Sequence, residues 1–202
     1  MWCRAVGVMM TLTLSLLVAP LAAEAQQRGN VPRIGVLSTG SPPATLPRFE
    51  PFIQGLHELG YVEDQTIALE YRFADGKHER LPGLAAELIA LPVDVIVTSG
   101  TPAAVAAKQA TSMIPIIIAT AADPVGEGLV ASLARPGGNV TGMANLDTEL
   151  SRKRLEILKE VVPGLSRVAI LWNPANPAHR PALGESEVAA RALGVQLQPV
   201  EV

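Results

Sequence analysis

Two short apolar runs limit the possible folds of this chain most strongly. V-D-V-I-V-T-S (93–99) and P-I-I-I-A-T (115–120) are rich in β-branched residues and nearly free of polar ones. This composition is typical of strands in a parallel sheet that helices cover on both faces. The first run ends at Ser99-Gly100-Thr101-Pro102 before an alanine-rich helix, and the second ends at 120–124 before a second predicted helix over 126–134. The stretch therefore predicts an α/β fold with a doubly wound parallel sheet.

The same alternation of strand and helix patterns continues on either side of this stretch. Further strands are predicted at 33–38, 66–72, 140–143, 167–172 and 195–202, and further helices at 49–59, 81–88, 148–162 and 185–193. The prolines in T-G-S-P-P (39–43) predict a loop, because they neither continue a strand nor start a helix cleanly. Thr148 is the predicted N-cap of the helix that follows it. R-P-G-G-N (135–139) breaks the alternation, which indicates a boundary between two α/β units.

The first 25 residues have the pattern of a signal peptide. Arg4 precedes an apolar run over 5–21, and A-E-A at 23–25 matches the small residues that signal peptidase requires. An uncleaved membrane anchor is the alternative, but the run is short for a bilayer span and contains Pro20. We therefore predict export, cleavage and a periplasmic or extracytoplasmic location, with no membrane insertion of the mature chain.

Candidate binding residues follow from the position of each predicted strand end. Ligands of open α/β sheets bind beyond the carboxyl ends of the strands. This rule selects Ser38, Thr39, Ser99, Gly100, Thr101, Ala103, Thr120, Asp123 and Asn173.

Each of these candidates also has a purely structural interpretation. The N–H groups of Thr101 and Ala103, together with the Thr101 hydroxyl, suit a carboxylate, but Thr101 and Ser99 are also ordinary helix caps. Asp123 suits an ammonium group, but an aspartate before proline is also a common turn residue. Asn173 can likewise form a turn before Pro174. The sequence leaves both interpretations open at these positions.

Catalytic, cofactor and nucleic-acid motifs are not found. The three histidines have no partners at metal-ligand or triad spacing, and neither G-x-G-x-x-G after the first strand nor a P-loop motif is present. A net charge of −3, 3% aromatic residues and the lack of a basic run argue against a nucleic-acid surface. We predict no enzyme activity, no cofactor, no metal site and no nucleic-acid partner.

Several longer motifs resemble one protein family. They are R-I-G-V-L-S (33–38), F-I-Q-G-L-H-E-L-G-Y (52–61), V-D-V-I-V-T-S-G-T-P-A-A (93–104), I-P-I-I-I-A-T-A-A-D-P-V-G-E-G-L-V (114–130), R-P-G-G-N-V-T-G (135–142) and V-A-I-L-W-N-P (168–174). Their pattern resembles extracytoplasmic substrate-binding proteins of ABC importers, in the group that includes tryptophan and other aromatic amino-acid binders.

This resemblance implies a type I periplasmic-binding-protein-like fold with two lobes that close on a ligand. It divides the chain into a signal peptide (1–25), an N-terminal α/β lobe (26–138), a crossing between lobes (139–147) and a partial second α/β lobe (148–202). The implied hinge residues are Gly138, directly before the crossing, and Asn139, Thr141 and Gly142 within it. Chains of this family continue well beyond the length seen here, so we expect the second lobe to be incomplete.

The function implied is that of a receptor for a small solute. Such a protein binds its solute, with an amino acid as the favoured candidate, between the lobes and delivers it to the membrane permease of an ABC importer. A secreted α/β enzyme is the first alternative, since a fold alone does not determine function. A truncated chain that binds nothing is the second.

Overall fold

A five-stranded parallel sheet forms the first part of the structure, a computed structural model that describes residues 31–145 and 147–202. Its strands are β1 (Arg33–Ser38), β2 (Ala68–Phe73), β3 (Val95–Ser99), β4 (Ile116–Thr120) and β5 (Val140–Gly142), in the order β2-β1-β3-β4-β5. Every neighbouring pair is parallel. The carboxyl ends of all five strands therefore meet at one edge, where the predicted site lies.

Helices cover both faces of this sheet. On one face, α1 (Pro42–Glu58) packs Phe49 against Val36 and Val97. On the other, a 3-10 helix (His78–Arg80) leads into α2 (Leu81–Ala90), which packs together with α3 (Thr101–Ala110) on the alternate side chains of the strands. The predicted doubly wound arrangement is confirmed.

A smaller α/β unit follows the first sheet. It contains α4 (Asp147–Val161), β6 (Arg167–Trp172), α5 (His179–Leu193) and β7 (Gln196–Glu201), with β6 and β7 paired in parallel. Leu155 of α4 and Ala189 and Ala190 of α5 pack against one face of the two strands. On the opposite face Leu171 is 67% exposed, so among the described residues this sheet is covered on one side only.

The helix predicted over 126–134 was wrong, because that segment forms a series of turns. Asp123 and Gly128 adopt positive φ angles of 42° and 64°, which a right-handed helix does not contain. Glycine also lowers helix stability, and the segment contains two glycines in three residues, at 126 and 128. The turns still place Leu129 and Val130 in the same buried cluster as Ile116 and Ile118 of β4.

Two helix starts also differ from the prediction. The loop predicted at 39–43 was wrong in its last two residues, since α1 begins at Pro42 with prolines in its first turn. The first helical positions have N–H groups without intrahelical acceptors, so proline loses nothing there. Thr148 is not an N-cap, because α4 begins one residue earlier at Asp147. A carboxylate in the first turn is favoured by the helix dipole.

The predicted crossing at 139–147 contains β5, which pairs with β4 in the first sheet. Asn139 precedes this strand and its Nδ2 donates to Thr111 O at 3.1 Å and Ile114 O at 2.8 Å. The chain between β5 and α4 is thus confined to 143–146. The hinge role of Gly138, Asn139, Thr141 and Gly142 stays a prediction.

The predicted signal peptide lies outside the described residues. Among the helices that the structure does describe, none combines the length and the apolar character that a membrane crossing requires.

Removing the buried hydroxyl of Thr98 is expected to stabilise the fold. Thr98 in β3 is fully buried, and its Oγ1 has no hydrogen-bond partner within residues 31–145 and 147–202. Burying an unpaired hydroxyl is unfavourable. We therefore expect Thr98→Val to raise the free energy of unfolding by about 1 kcal/mol, measured by urea denaturation.

Thr45→Val is the matched control for this prediction. Thr45 is also buried, but its Oγ1 lies 3.1 Å from Ser38 Oγ. Loss of this hydrogen bond should lower the free energy of unfolding by about 1 kcal/mol. A fall in stability for Thr98→Val as large as that for Thr45→Val would contradict the assignment of Thr98 as unpaired.

Candidate functional site

A cavity of about 350 Å³ lies at the carboxyl ends of β3, β4 and β6. Both sheets and the chain between them contribute to its walls. It is lined by Gly100, Thr101, Thr120, Ala121, Ala122, Asn145, Asp147, Ser151, Arg154, Ile170, Leu171, Trp172, Asn176, Ala178, His179, Ala182 and Leu183. Its volume falls in the range of roughly 300–1,000 Å³ of small-molecule sites.

The first wall is the turn between β3 and α3. Gly100 has a φ of 96°, and a Cβ there would lie 2.7 Å from Thr39 Oγ1, so glycine is required. Its N–H donates to Thr120 O at 2.9 Å. The Thr101 hydroxyl oxygen accepts from Ala122 N at 3.0 Å and so joins the start of α3 to the loop after β4. Thr101 is the first residue of α3 at this wall, where the helix end favours negative charge, whereas Pro102 has no N–H and Ala103 N donates to Gly100 O.

The second wall consists of polar residues at the start of α4. Asn145 Nδ2 donates to Thr120 Oγ1 at 3.0 Å. Arg154 Nη2 lies 2.6 Å from Asp147 Oδ1, and both side chains are about half exposed. Such a pair contributes little stability, about 0–1 kcal/mol, but it places one charge of each sign beside the cavity.

The third wall is the segment from β6 into α5. Asn173 N donates to His179 Nδ1 at 2.9 Å, and Asn176 Oδ1 accepts from Ala178 N at 3.1 Å. The Arg180 guanidinium lies 5.8 Å from the centroid of the Trp172 ring, within range of a cation–π contact. These contacts hold the aromatic and polar side chains of the wall in place.

Three of the predicted site residues lie together on the cavity: Gly100, Thr101 and Thr120. Ser38, Thr39, Ser99, Ala103, Asp123 and Asn173 are outside its lining. Ser38 is buried and accepts from Gly40 N at 3.1 Å. The Thr39 hydroxyl donates to Ser99 O at 3.4 Å, and Ala103 N donates to Gly100 O at 3.1 Å. Their polar groups therefore have local partners, and their roles as ligand contacts stay predictions.

Asp123 and Asn173 make the contacts of turn residues. Asp123 Oδ1 accepts from Gly126 N at 2.9 Å, and Asn173 Oδ1 accepts from Ala175 N at 2.9 Å. Burial raises the pKa of the Glu127 carboxyl, and the negative charge of Asp123 adds to that shift. Asp123 lines a separate cavity of about 220 Å³. The turn interpretation fits both residues, and their roles as ligand contacts stay predictions.

Sequence reasoning missed much of the polar lining. The polar residues of α4 at the cavity recur at helical spacing and so lie on one side of the helix: they are Asp147, Ser151 and Arg154. This spacing could have identified them from the sequence. Asn145 belongs to the predicted crossing but was not selected. His179 was not selected because it has no partner at metal or triad spacing, and nothing in the local sequence marks it as part of a cavity.

Comparisons with known proteins concern the family and the fold of this chain. A family model described as ABC transporter substrate binding protein matches residues 33–202. The chain is similar to a tyrosine-binding protein of Clostridioides difficile, with 34% identity over 122 residues that cover 60% of this chain and 35% of the relative.

Two crystal structures have closely similar folds. One is a conserved domain protein from Vibrio cholerae, with 27% identity and a TM-score of 0.79. The other is an ABC domain in complex with L-Trp from Streptococcus pneumonia, with 28% identity and a TM-score of 0.76. Each comparison covers 86% of this chain and 58% of the solved chain, so the present chain spans little more than half of those proteins. Since the family model matches from β1 to the end of the chain, the chain belongs to the family of ABC transporter substrate-binding proteins.

Proposed function

We propose that this chain is the solute-binding component of an ABC importer and that it binds a free amino acid in the cavity between its two sheets. The observation that carries the proposal is the construction of the cavity, whose walls come from both α/β units and contain hydrogen-bond donors, an ion pair and apolar surface. Family membership and the tyrosine and L-Trp named for two relatives support an amino acid as the solute.

The walls suggest how a zwitterion is held. The α-carboxylate lies against the N–H and hydroxyl of Thr101 at the start of α3, where the helix dipole stabilises it. The ammonium group lies near the Asp147 carboxylate, and Arg154, which is paired with that carboxylate, balances its charge. Ile170 and Leu183 supply apolar surface for the side chain. This arrangement places the ammonium at Asp147, because Asp123 is outside the cavity lining.

Transport adds three further steps to the proposal. The signal peptide (1–25) directs export and is removed, so the protein acts outside the cytoplasmic membrane. The two units close about the crossing at 139–147 and exclude water from the ligand. The membrane permease then recognises the closed form and receives the solute unchanged.

A thermal-shift titration of the full chain with each proteinogenic amino acid tests this proposal. A ligand that binds only the folded state at 100 times its Kd adds about 2.7 kcal/mol of stability. For a domain of this size that corresponds to a rise in Tm of roughly 5–10 °C. Recovery of the amino acid unchanged from the incubated sample distinguishes binding from turnover. Failure of every amino acid to raise the Tm at saturating concentration would contradict the proposal.

A further inference from the structure

We propose that His179 selects the solute by donating a hydrogen bond to an oxygen at the end of its side chain. The preferred solutes are then amino acids whose apolar side chain ends in a hydroxyl, amide or carboxyl oxygen. This inference rests on the proposed function and goes beyond it by naming the class of solute and the residue that recognises the end of its side chain.

The hydrogen bond inside the β6–α5 turn determines which His179 nitrogen carries the proton. A backbone N–H can only donate, so the 2.9 Å contact from Asn173 N makes His179 Nδ1 the acceptor. The neutral ring must then carry its hydrogen on Nε2. His179 lines the cavity, and within the described residues its Nε2 makes no hydrogen bond. His179 thus offers a donor whose partner is not supplied by the described part of the chain.

Asn176 gives the same wall a second donor. Its Oδ1 accepts from Ala178 N at 3.1 Å, which leaves its Nδ2 for the cavity that it lines. The acceptor atoms of His179 and Asn176 therefore both accept hydrogen bonds from the backbone of the turn. A ligand end that carries acceptor oxygens is matched by this wall, whereas an ammonium end is not.

The position of this wall decides which part of the solute it contacts. The N-terminus of α3 belongs to the first sheet and His179 belongs to the second unit, and the cavity lies between them. A solute whose carboxylate is held at Thr101 presents its other end to the β6–α5 wall. Trp172, Ile170 and Leu183 also line the cavity, which suits an apolar side chain with a polar tip.

L-Tyrosine and L-phenylalanine are the probes, because they differ only by one oxygen at the side-chain tip. Calorimetric titration of the full chain should give about tenfold tighter binding of tyrosine, the size of one net hydrogen bond between neutral groups. Equal affinities for the two probes in the wild-type chain would overturn the inference without any variant.

Two substitutions separate a recognition role of His179 from a structural one. The amide of His179→Asn lies near the position of Nδ1, so it keeps an acceptor for Asn173 N but loses the donor at Nε2. The amide of His179→Gln reaches towards Nε2, so it keeps that donor but gives up the bond to Asn173. We expect the tyrosine preference to fall from about tenfold to near one in His179→Asn and to persist in His179→Gln.

A purely structural histidine would give the reverse pattern. His179→Gln would then weaken both probes equally, and His179→Asn would leave the tyrosine preference unchanged, which would overturn the inference. The ¹⁵N resonance of Nε2 in the wild-type chain provides a second measurement, with a shift expected on tyrosine binding and not on phenylalanine binding. Binding of neither probe by a chain whose Tm another amino acid raises would overturn this inference alone, as would binding of both with equal affinity, whereas failure of every proteinogenic amino acid to bind would contradict the proposed function as well.

Discussion

Replacing Gly142 with alanine is expected to lower the free energy of unfolding by about 3 kcal/mol or more. Gly142 ends β5 with a φ of 140°, and a Cβ there would lie 2.2 Å from Ile118 O and 2.5 Å from Ile118 N. These are backbone atoms of the neighbouring strand, so they cannot move aside as a flexible side chain does. Relief of the contact requires β4 and β5 to separate. The measurement is urea denaturation of the full chain.

Gly138→Ala is the matched control, since both glycines belong to the predicted hinge. A Cβ at Gly138 would meet no atom within 4 Å, so we expect a change of less than about 1 kcal/mol. Similar small effects at both positions would contradict the description of Gly142 as a packed residue of the first sheet. They would favour an open hinge at this position instead.

Filling the cavity is expected to abolish binding without unfolding the chain. Ala182 of α5 lines the cavity and is half-buried, so the ring of Ala182→Phe would occupy space that the solute needs. We expect the Kd of any bound amino acid to rise by about 100-fold or more, because solute and ring cannot share the same volume. Isothermal calorimetry measures the Kd, and circular dichroism verifies the fold.

Val188→Phe introduces the same side chain on the same helix outside the cavity. Val188 is 48% exposed and is not part of the cavity lining. Its affinity for the amino acid should equal that of the wild-type chain. An Ala182→Phe chain that retains wild-type affinity would place the binding site elsewhere.

Much of the fold was predictable because the signal lies in short local runs. The apolar β-branched residues of β3 and β4 indicated buried parallel strands, and the structure has them at Val95–Ser99 and Ile116–Thr120. The segment at 126–134 was less predictable because two local signals conflict. Its apolar residues recur at helical spacing, but the glycines at 126 and 128 favour turns, and the structure has turns there.

Only those cavity residues that follow strands of the first sheet were predictable from the sequence. Gly100, Thr101 and Thr120 follow strands of the first sheet, so the rule for carboxyl strand ends selects them. Arg154 and His179 reach the cavity because of how the second α/β unit packs beside the first sheet. That packing depends on contacts far apart in the chain, which strand and helix patterns do not contain.

Trp172 offers the most direct test of binding in this cavity. The chain has two tryptophans, so in a full chain with Trp2→Phe the indole of Trp172 at the cavity wall is the only one left. Its fluorescence should change saturably, at one solute per chain, on titration with at least one amino acid other than tryptophan. The Ala182→Phe substitution should remove this change. A fluorescence signal that stays constant with every amino acid, in a chain shown to be folded, would contradict the proposal that this cavity binds an amino acid.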